Sequence, residues 1–185
     1  MIRTRMTRLG ALAALLALGA CGDKADNGAP KTEAAKEEAG KSTLADGLGD
    51  AGKFMAAAKA TGLDATLAGP GPYTVLVPSD AAFDKLPAGA LDALMKEDAR
   101  ADLTGVLTYH ILPGTVLAAD IGKAIDAGKG KTLLATMAGG TLTATRDGSA
   151  IIISDSAGTK ARITAADEKK SNGVIHRVDS VLMPG

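Results

Sequence analysis

The spacing of apolar residues changes along this chain from a helical period to alternation. In the first half, apolar side chains recur every three or four residues, which predicts short helices between residues 44 and 67 and between residues 80 and 107. Leu117–Ala127 has the same spacing. From residue 132 onward, alternation predicts antiparallel strands at Thr132–Met137, Thr141–Arg146, Ala150–Ser154 and Lys160–Thr164. Helices followed by antiparallel strands indicate an α+β domain.

Three further runs are apolar almost throughout and end at turn residues: Tyr73–Pro78, Leu107–Gly114 and Val174–Pro184. Each predicts a buried strand, and we expect the three strands to meet in a single core. The middle run contains Tyr109 and His110, one of only two histidines in the chain. We therefore expect this run to organise the fold.

The first twenty residues have the pattern of a secretory signal. Three arginines precede the apolar run Leu9–Leu18, which is too short to cross a bilayer. The following Leu-Gly-Ala-Cys, residues 18–21, resembles the lipobox of bacterial lipoproteins, and the resemblance implies cleavage before Cys21 and a lipid anchor on it. The alternative is a plain signal peptide cut near Ala20. Cys21 would then be a lone thiol, which an oxidising compartment disfavours.

Residues 21–42 are small and charged and contain almost no large apolar side chain, which predicts a flexible tether. The predicted organisation is therefore a lipoprotein signal peptide (1–20), a tether (21–42) and one domain (43–185). Gly22 follows the cysteine, and by the enterobacterial sorting rule this favours the outer membrane. We expect the domain to face the periplasm or the cell exterior.

Composition argues against a nucleic-acid partner. The full chain has no net charge, and without its first 20 residues it carries 18 Lys and Arg against 21 Asp and Glu. A domain of this charge does not attract polyanions as a whole. Its only aromatic residues are Phe54, Tyr73, Phe83 and Tyr109, too few for a platform that stacks bases or sugar rings.

Three motifs stand in order along the chain: Gly71–Phe83, the Tyr109-His110 pair and Asn172–Pro184. Together they resemble the fasciclin (FAS1) domain, over residues 43–185. The resemblance implies a β-wedge of two sheets with a helical layer, in agreement with the α+β pattern. It also implies a monomeric adhesion or binding module for cell-surface or matrix components, polysaccharide or protein, and not an enzyme.

The resemblance also indicates which residues to examine. Tyr109, His110 and Asp167 become candidate binding residues, whereas Asn172, Gly173 and His176 belong to the structural part of the third motif. In animal members of the family an Asp-Ile pair before this motif is tied to integrin contact. Here Asp167 is followed by Glu168, so integrin-type binding is not expected.

Each histidine has a structural and a chemical interpretation. A metal site needs three or four ligands, and neither His110 nor His176 has other ligands at metal-binding spacing, so we expect no metal and no cofactor. The structural interpretation is a ring held by hydrogen bonds that lock a strand to its neighbours. Gly47–Gly52 matches the Gly-x-Gly-x-x-Gly motif of dinucleotide sites by letter. Such a site needs a strand before the motif, and none is predicted there, so we do not expect nucleotide binding. The remaining alternatives are a structural envelope component without a ligand and a histidine-dependent envelope enzyme.

Overall fold

The structure, a computed structural model, describes residues 41–185. The predicted signal peptide and residues 21–40 of the predicted tether lie outside the described residues. The helices are α1 Gly52–Thr61, α2 Leu63–Ala68, α3 Asp80–Phe83, α4 Ala90–Leu94, α5 Arg100–Tyr109 and α6 Ala118–Ala127, with 3-10 turns at Asp46–Leu48 and Glu97–Ala99. The strands are β1 Tyr73–Pro78, β2 Ile111–Pro113, β3 Lys131–Ala135, β4 Thr141–Asp147, β5 Ala150–Ser154, β6 Lys160–Lys170 and β7 Gly173–Val178. None of the helices in this part of the chain combines the length and the apolar character needed to span a bilayer.

The seven strands follow one hydrogen-bonded order, β2-β1-β7-β6-β5-β4-β3. β1 and β7 run parallel, and every other neighbouring pair is antiparallel. The eleven-residue strand β6 belongs to both halves, pairing with β5 near its start and with β7 further along. Its pairing with β7 slips in register between Ile163 and Ala165 and again between Ala165 and Glu168. The predicted α+β wedge is confirmed, with its two sheets joined through β6.

The three apolar runs meet as predicted, since β1 lies between β2 and β7, but they line two core clusters and not a single one, because the central strands are buried on both faces. One cluster packs helical residues such as Phe54 and Leu103 against Val75 and Ile175. The second cluster lies on the other face of β1, around Leu76, and is lined mainly by the strands of the second half and by α6. Side chains alternate between the faces of a strand, so a strand covered on both sides reads as a continuous apolar run.

The middle apolar run is only partly a strand. α5 continues to Tyr109, and β2 is limited to Ile111–Pro113. The helix continues because Leu103, Val106 and Leu107 extend its buried face at helical spacing. Tyr109 and His110 therefore lie at the carboxyl end of a helix.

Several strand ends also differ from the predictions. β3 is Lys131–Ala135 where the alternation predicts Thr132–Met137, and β4 ends one residue later than predicted. β6 runs six residues past Thr164, through a segment whose bulges interrupt the alternation. β7 ends at Val178, and residues 179–185 follow without regular secondary structure.

Candidate functional site

The three sequence motifs meet where β1 lies between β2 and β7. The first motif contains β1, the second is the junction of α5 with β2, and the third contains β7. Val75 is opposite Ile111 on one side and Ile175 on the other. Of the six predicted site residues, Gly173 and His176 lie in β7 and Asp167 lies in β6. Asn172 lies between these strands, and Tyr109 and His110 lie at the end of α5 before β2.

His110 is buried in this region, with 1% of its surface exposed. Its Nδ1 lies 2.8 Å from the carbonyl oxygen of Val106, and the backbone N–H of Leu182 donates to its Nε2 at 3.0 Å. A carbonyl only accepts and an amide N–H only donates, so these partners assign the proton to Nδ1. Burial lowers the pKa of His110 to about 4, although Val106 and the nearby Asp155 favour the charged form. The neutral ring thus ties the end of α5 to the C-terminal segment.

Tyr109 connects the same helix end to the β3–β4 hairpin. Its ring is 2% exposed, and its hydroxyl donates to the carbonyl oxygen of Thr141 at 3.0 Å. Gly140 lies against the ring, where an added Cβ would come within 2.8 Å of the Tyr109 Cε2 atom. Close by, the N–H of Met137 donates to the Ile111 carbonyl at 2.8 Å, so the region after β3 is bonded to β2.

His176 lies in β7, where it is fully buried and, like His110, bonds to two backbone groups. Its Nε2 lies 2.8 Å from the Val116 carbonyl oxygen, and the backbone N–H of Asp167 donates to its Nδ1 at 3.1 Å. Burial lowers its pKa, against the opposing effects of the Val116 hydrogen bond and the Asp167 carboxylate. The ring therefore connects β7 to the loop before α6 and to the irregular part of β6.

Asp167 lies at that irregularity with a positive φ of 62°, which Asp tolerates better than most residues. Its Oδ1 accepts a 2.8 Å hydrogen bond from the N–H of Ala118, the first residue of α6. A carboxylate at a helix amino terminus satisfies an unpaired N–H and interacts favourably with the helix dipole. Its side chain is 36% exposed, so Asp167 both caps a helix and reaches the surface.

Asn172 and Gly173 join the amino-terminal segment to the sheet. The Asn172 side chain accepts a 2.7 Å hydrogen bond from the N–H of Leu44 and donates to the carbonyls of Leu67 and Gly69. An added Cβ on Gly173 would lie 2.0 Å from the Tyr73 carbonyl oxygen, so only glycine fits opposite β1.

The geometry restricts what the predicted site residues can do chemically. Every imidazole nitrogen of His110 and His176 already has a backbone partner, so binding a metal or a substrate there would break a hydrogen bond. A partner that touched Tyr109 or His110 directly would have to open the core. Among residues 41–185, no group of three His, Cys, Asp or Glu side chains is placed to hold a metal ion. The role of Tyr109, His110 and Asp167 in binding stays a prediction.

Two polar residues that the sequence does not single out also form hydrogen bonds in this region. We call this network of buried, hydrogen-bonded polar side chains around β1, β2 and β7 the framework. Asp155 is buried, and its carboxylate accepts hydrogen bonds from the N–H groups of Thr159 and Met183 at 2.7 and 2.9 Å. Thr74 donates to the Gly114 carbonyl and accepts from the Val116 N–H, both at 2.8 Å. No local spacing indicates this role of Asp155, because its partner Met183 is 28 positions away in the sequence.

The outward-facing side of β3–β6, which we call the outer face, is solvent-exposed or half-buried. Its first row across the four strands consists of Lys131, Thr145, Ile152 and Arg162. Its second row consists of Leu133, Thr143, Ser154 and Lys160. The alternate residues of the same strands, such as Leu142, Ile153 and Ala161, fill the second core cluster. A groove of about 370 Å³ lies at the β6 side of this face.

Comparisons with known proteins agree with the arrangement of the motifs. A family model for the Fasciclin domain matches residues 49–184. Protein sll1483 from Synechocystis is 36% identical over 132 residues, covering 71% of this chain and 66% of that protein. Cell surface glycolipoprotein MPB83 from Mycobacterium bovis is 33% identical over 114 residues, covering 62% of this chain and 44% of that protein.

Among solved structures, the FAS1 domain pair of the insect cell adhesion molecule fasciclin I matches with a TM-score of 0.55. The match covers 72% of this chain and 45% of that chain at 21% identity, which shows a shared fold. The present chain spans less than two thirds of the length of each of these three proteins.

Proposed function

The chain belongs to the fasciclin domain family, and on that premise we propose that it is a lipid-anchored protein of the bacterial cell envelope that binds cell-surface or matrix components. The domain, residues 43–185, carries out the binding. A lipid on Cys21 holds it to a membrane, with the outer membrane favoured, and residues 21–42 act as the tether. The partner is a polysaccharide or a protein.

The main support for the binding function is that the polar groups of the motif residues are occupied by hydrogen bonds inside the domain. Both histidine rings and the Tyr109 hydroxyl are engaged with backbone groups inside the domain. They are framework groups and offer no free base or nucleophile, which favours recognition over catalysis. A match to a protein described as a cell adhesion molecule supports the same function.

The anchor is supported by the lipobox-like residues 18–21 and by the similarity to a protein described as a cell surface glycolipoprotein. Stable anchoring requires two or more acyl chains, which the lipoprotein modification of Cys21 supplies. Many copies on one membrane raise the strength of a weak contact by avidity.

The test compares the attachment of three strains to neighbouring cells and to a polysaccharide-coated surface. One strain lacks the protein, one carries the wild-type copy, and one carries a Cys21→Ser copy. Attachment should fall in the deletion strain and in the Cys21→Ser strain, while the wild-type copy restores it. Mass spectrometry of the mature amino-terminal peptide should detect acyl chains on Cys21 only in the wild type. Equal attachment in all three strains would contradict the proposal.

A further inference from the structure

The outer face carries hydroxyl groups at regular positions along β4 and on β5. Thr141, Thr143 and Thr145 alternate along β4, so their side chains point to the same side of the sheet. Ser154 of β5 lies opposite Thr143. Within the described part of the chain, none of these four hydroxyls has a hydrogen-bond partner, in contrast to Thr74 in the framework. Each can donate one hydrogen bond and accept two.

The same face carries cations with no partner. Lys131 and Lys160 are exposed and form no ion pair with residues 41–185. Three strand spacings separate them, which places their backbones on the order of 15 Å apart. The groove beside Lys160 is also lined by Arg162, which is paired with Asp147, by Arg146, which is paired with Asp126, and by Asp179.

Charge is also unevenly distributed between the halves of the domain. Residues 111–185 contain nine Lys and Arg against seven Asp and Glu, whereas residues 41–110 contain six against nine. The outer face itself carries Lys131, Lys160 and Arg162 against the single carboxylate Asp147, so it is positive although the domain as a whole is nearly neutral. An acidic partner is therefore attracted to this face.

We propose that the outer face binds an acidic, carboxylated polysaccharide. This inference rests on the proposed binding function and narrows its partner to one chemical class. Lys131 and Lys160 pair with carboxylates spaced along the polymer, and the threonine row exchanges hydrogen bonds with the sugar hydroxyls. Leu133, 66% exposed, and the half-buried Ile152 offer apolar surface to the C–H faces of the sugar rings.

Two features favour this partner over other classes. The four aromatic residues of the chain all lie on other elements, so the outer face has no ring on which neutral sugars or nucleic-acid bases could stack. Without ring stacking, affinity must come mainly from charge and hydrogen bonds, which favours a charged sugar. The row of unpartnered hydroxyls favours a polyhydroxylated chain over an acidic protein.

Binding of the purified full-length chain to immobilised polygalacturonate tests the proposal, with uncharged dextran as the reference polymer. Wild-type protein should bind polygalacturonate more tightly than dextran, and added salt should weaken the binding. The Lys131→Gln/Lys160→Gln double variant should lose about tenfold in affinity, since two close charge pairs are removed. The matched double variant Lys59→Gln/Lys96→Gln, on the helical half, should change affinity by less than about twofold.

A second double variant tests the hydroxyls without changing charge. Thr143→Val/Thr145→Val keeps the shape and the β-branching of both side chains. It should lower affinity about threefold to tenfold while leaving the dependence on salt unchanged. Equal affinity in this variant and the wild type would overturn the role of the hydroxyls.

Three results would overturn the proposal as a whole: no preference for polygalacturonate over dextran, equal losses in the two lysine double variants, or equally tight binding of polyglutamate or duplex DNA. The strain test distinguishes this failure from failure of the proposed function. If the Lys131→Gln/Lys160→Gln strain attaches like the wild type while the deletion strain does not, adhesion stands and the outer face is not its site.

Discussion

Around β1, β2 and β7 polar side chains are buried and paired, whereas on the outer face the hydroxyls and two of the three cations have no partner among residues 41–185. Thr74 illustrates the first region, since its hydroxyl bridges Gly114 and Val116. Thr143 illustrates the second, since its hydroxyl has no partner among residues 41–185. The comparison suggests that the motifs which identify the family build the framework, and that binding belongs to a surface outside them.

Removing the His110 ring should have the largest effect on the free energy of unfolding. His110→Ala deletes two buried hydrogen bonds and the edge-to-face contact with Phe54, and it leaves a cavity. We expect a loss of about 3–5 kcal/mol in the free energy of unfolding, measured by urea denaturation. Lys96→Ala on the exposed surface serves as the control. An unchanged urea midpoint for His110→Ala would show that the ring is not part of the framework.

Acid should destabilise the framework through the same residue. The pKa of folded His110, about 4, lies below its ordinary value of 6.5, so the folded protein binds fewer protons than the unfolded chain between these two pH values. Stability is therefore complete above pH 6.5 and decreases as the pH falls, by about 2 kcal/mol between pH 7 and pH 5. The lowered pKa of His176 acts in the same direction.

Urea midpoints at pH 7 and pH 5 measure this effect. His110→Gln removes the titrating group, so its stability should depend less on pH than that of the wild type, whatever its absolute value. If the urea midpoints of the two proteins fall equally between pH 7 and pH 5, His110 does not cause the loss of stability in acid.

The paired and unpaired threonines permit a direct test of the comparison. Thr74→Val leaves the Val116 N–H and the Gly114 carbonyl without their partner and should cost about 1–3 kcal/mol in unfolding free energy. Thr143→Val removes a hydroxyl that bonds to nothing in the described residues, and its cost should stay within about 0.5 kcal/mol. Equal costs would show that the outer face belongs to the framework as well.

The smallest framework effect is expected at Asp167. Asp167→Ala removes the acceptor for the Ala118 N–H and should cost about 1 kcal/mol in unfolding free energy. Asp167→Asn keeps an acceptor oxygen and tolerates the positive φ, so it should cost only a few tenths of a kcal/mol. If the two variants are equally destabilised, the charge matters more than the hydrogen bond.

The sequence was most informative where one spacing rule held without interruption. Ala150–Ser154 is a strand with its predicted limits, and α6 differs from the predicted Leu117–Ala127 by one residue. The rule failed at residues 165–170, where bulges remove the alternation, and at Leu107–Tyr109, where apolar helix and apolar strand look alike.

The site was less accessible to prediction because its contacts are distant along the chain. The residue types Tyr109, His110 and His176 stand out in the sequence, but their partners Thr141, Leu182 and Val116 are 32, 72 and 60 positions away. The alternating threonines of β4 are visible in the sequence. The register that places Lys131 and Lys160 beside them is not.

A titration of the isotope-labelled protein with oligogalacturonate, followed by the amide chemical shifts, tests the central claim most directly. Shift changes should concentrate on the outer face, at Thr143, Thr145, Ser154 and Lys160, while the amide chemical shifts of Tyr109, His110 and His176 should not change. Changes concentrated at Tyr109, His110 and Asp167, with the outer face unaffected, would contradict this claim.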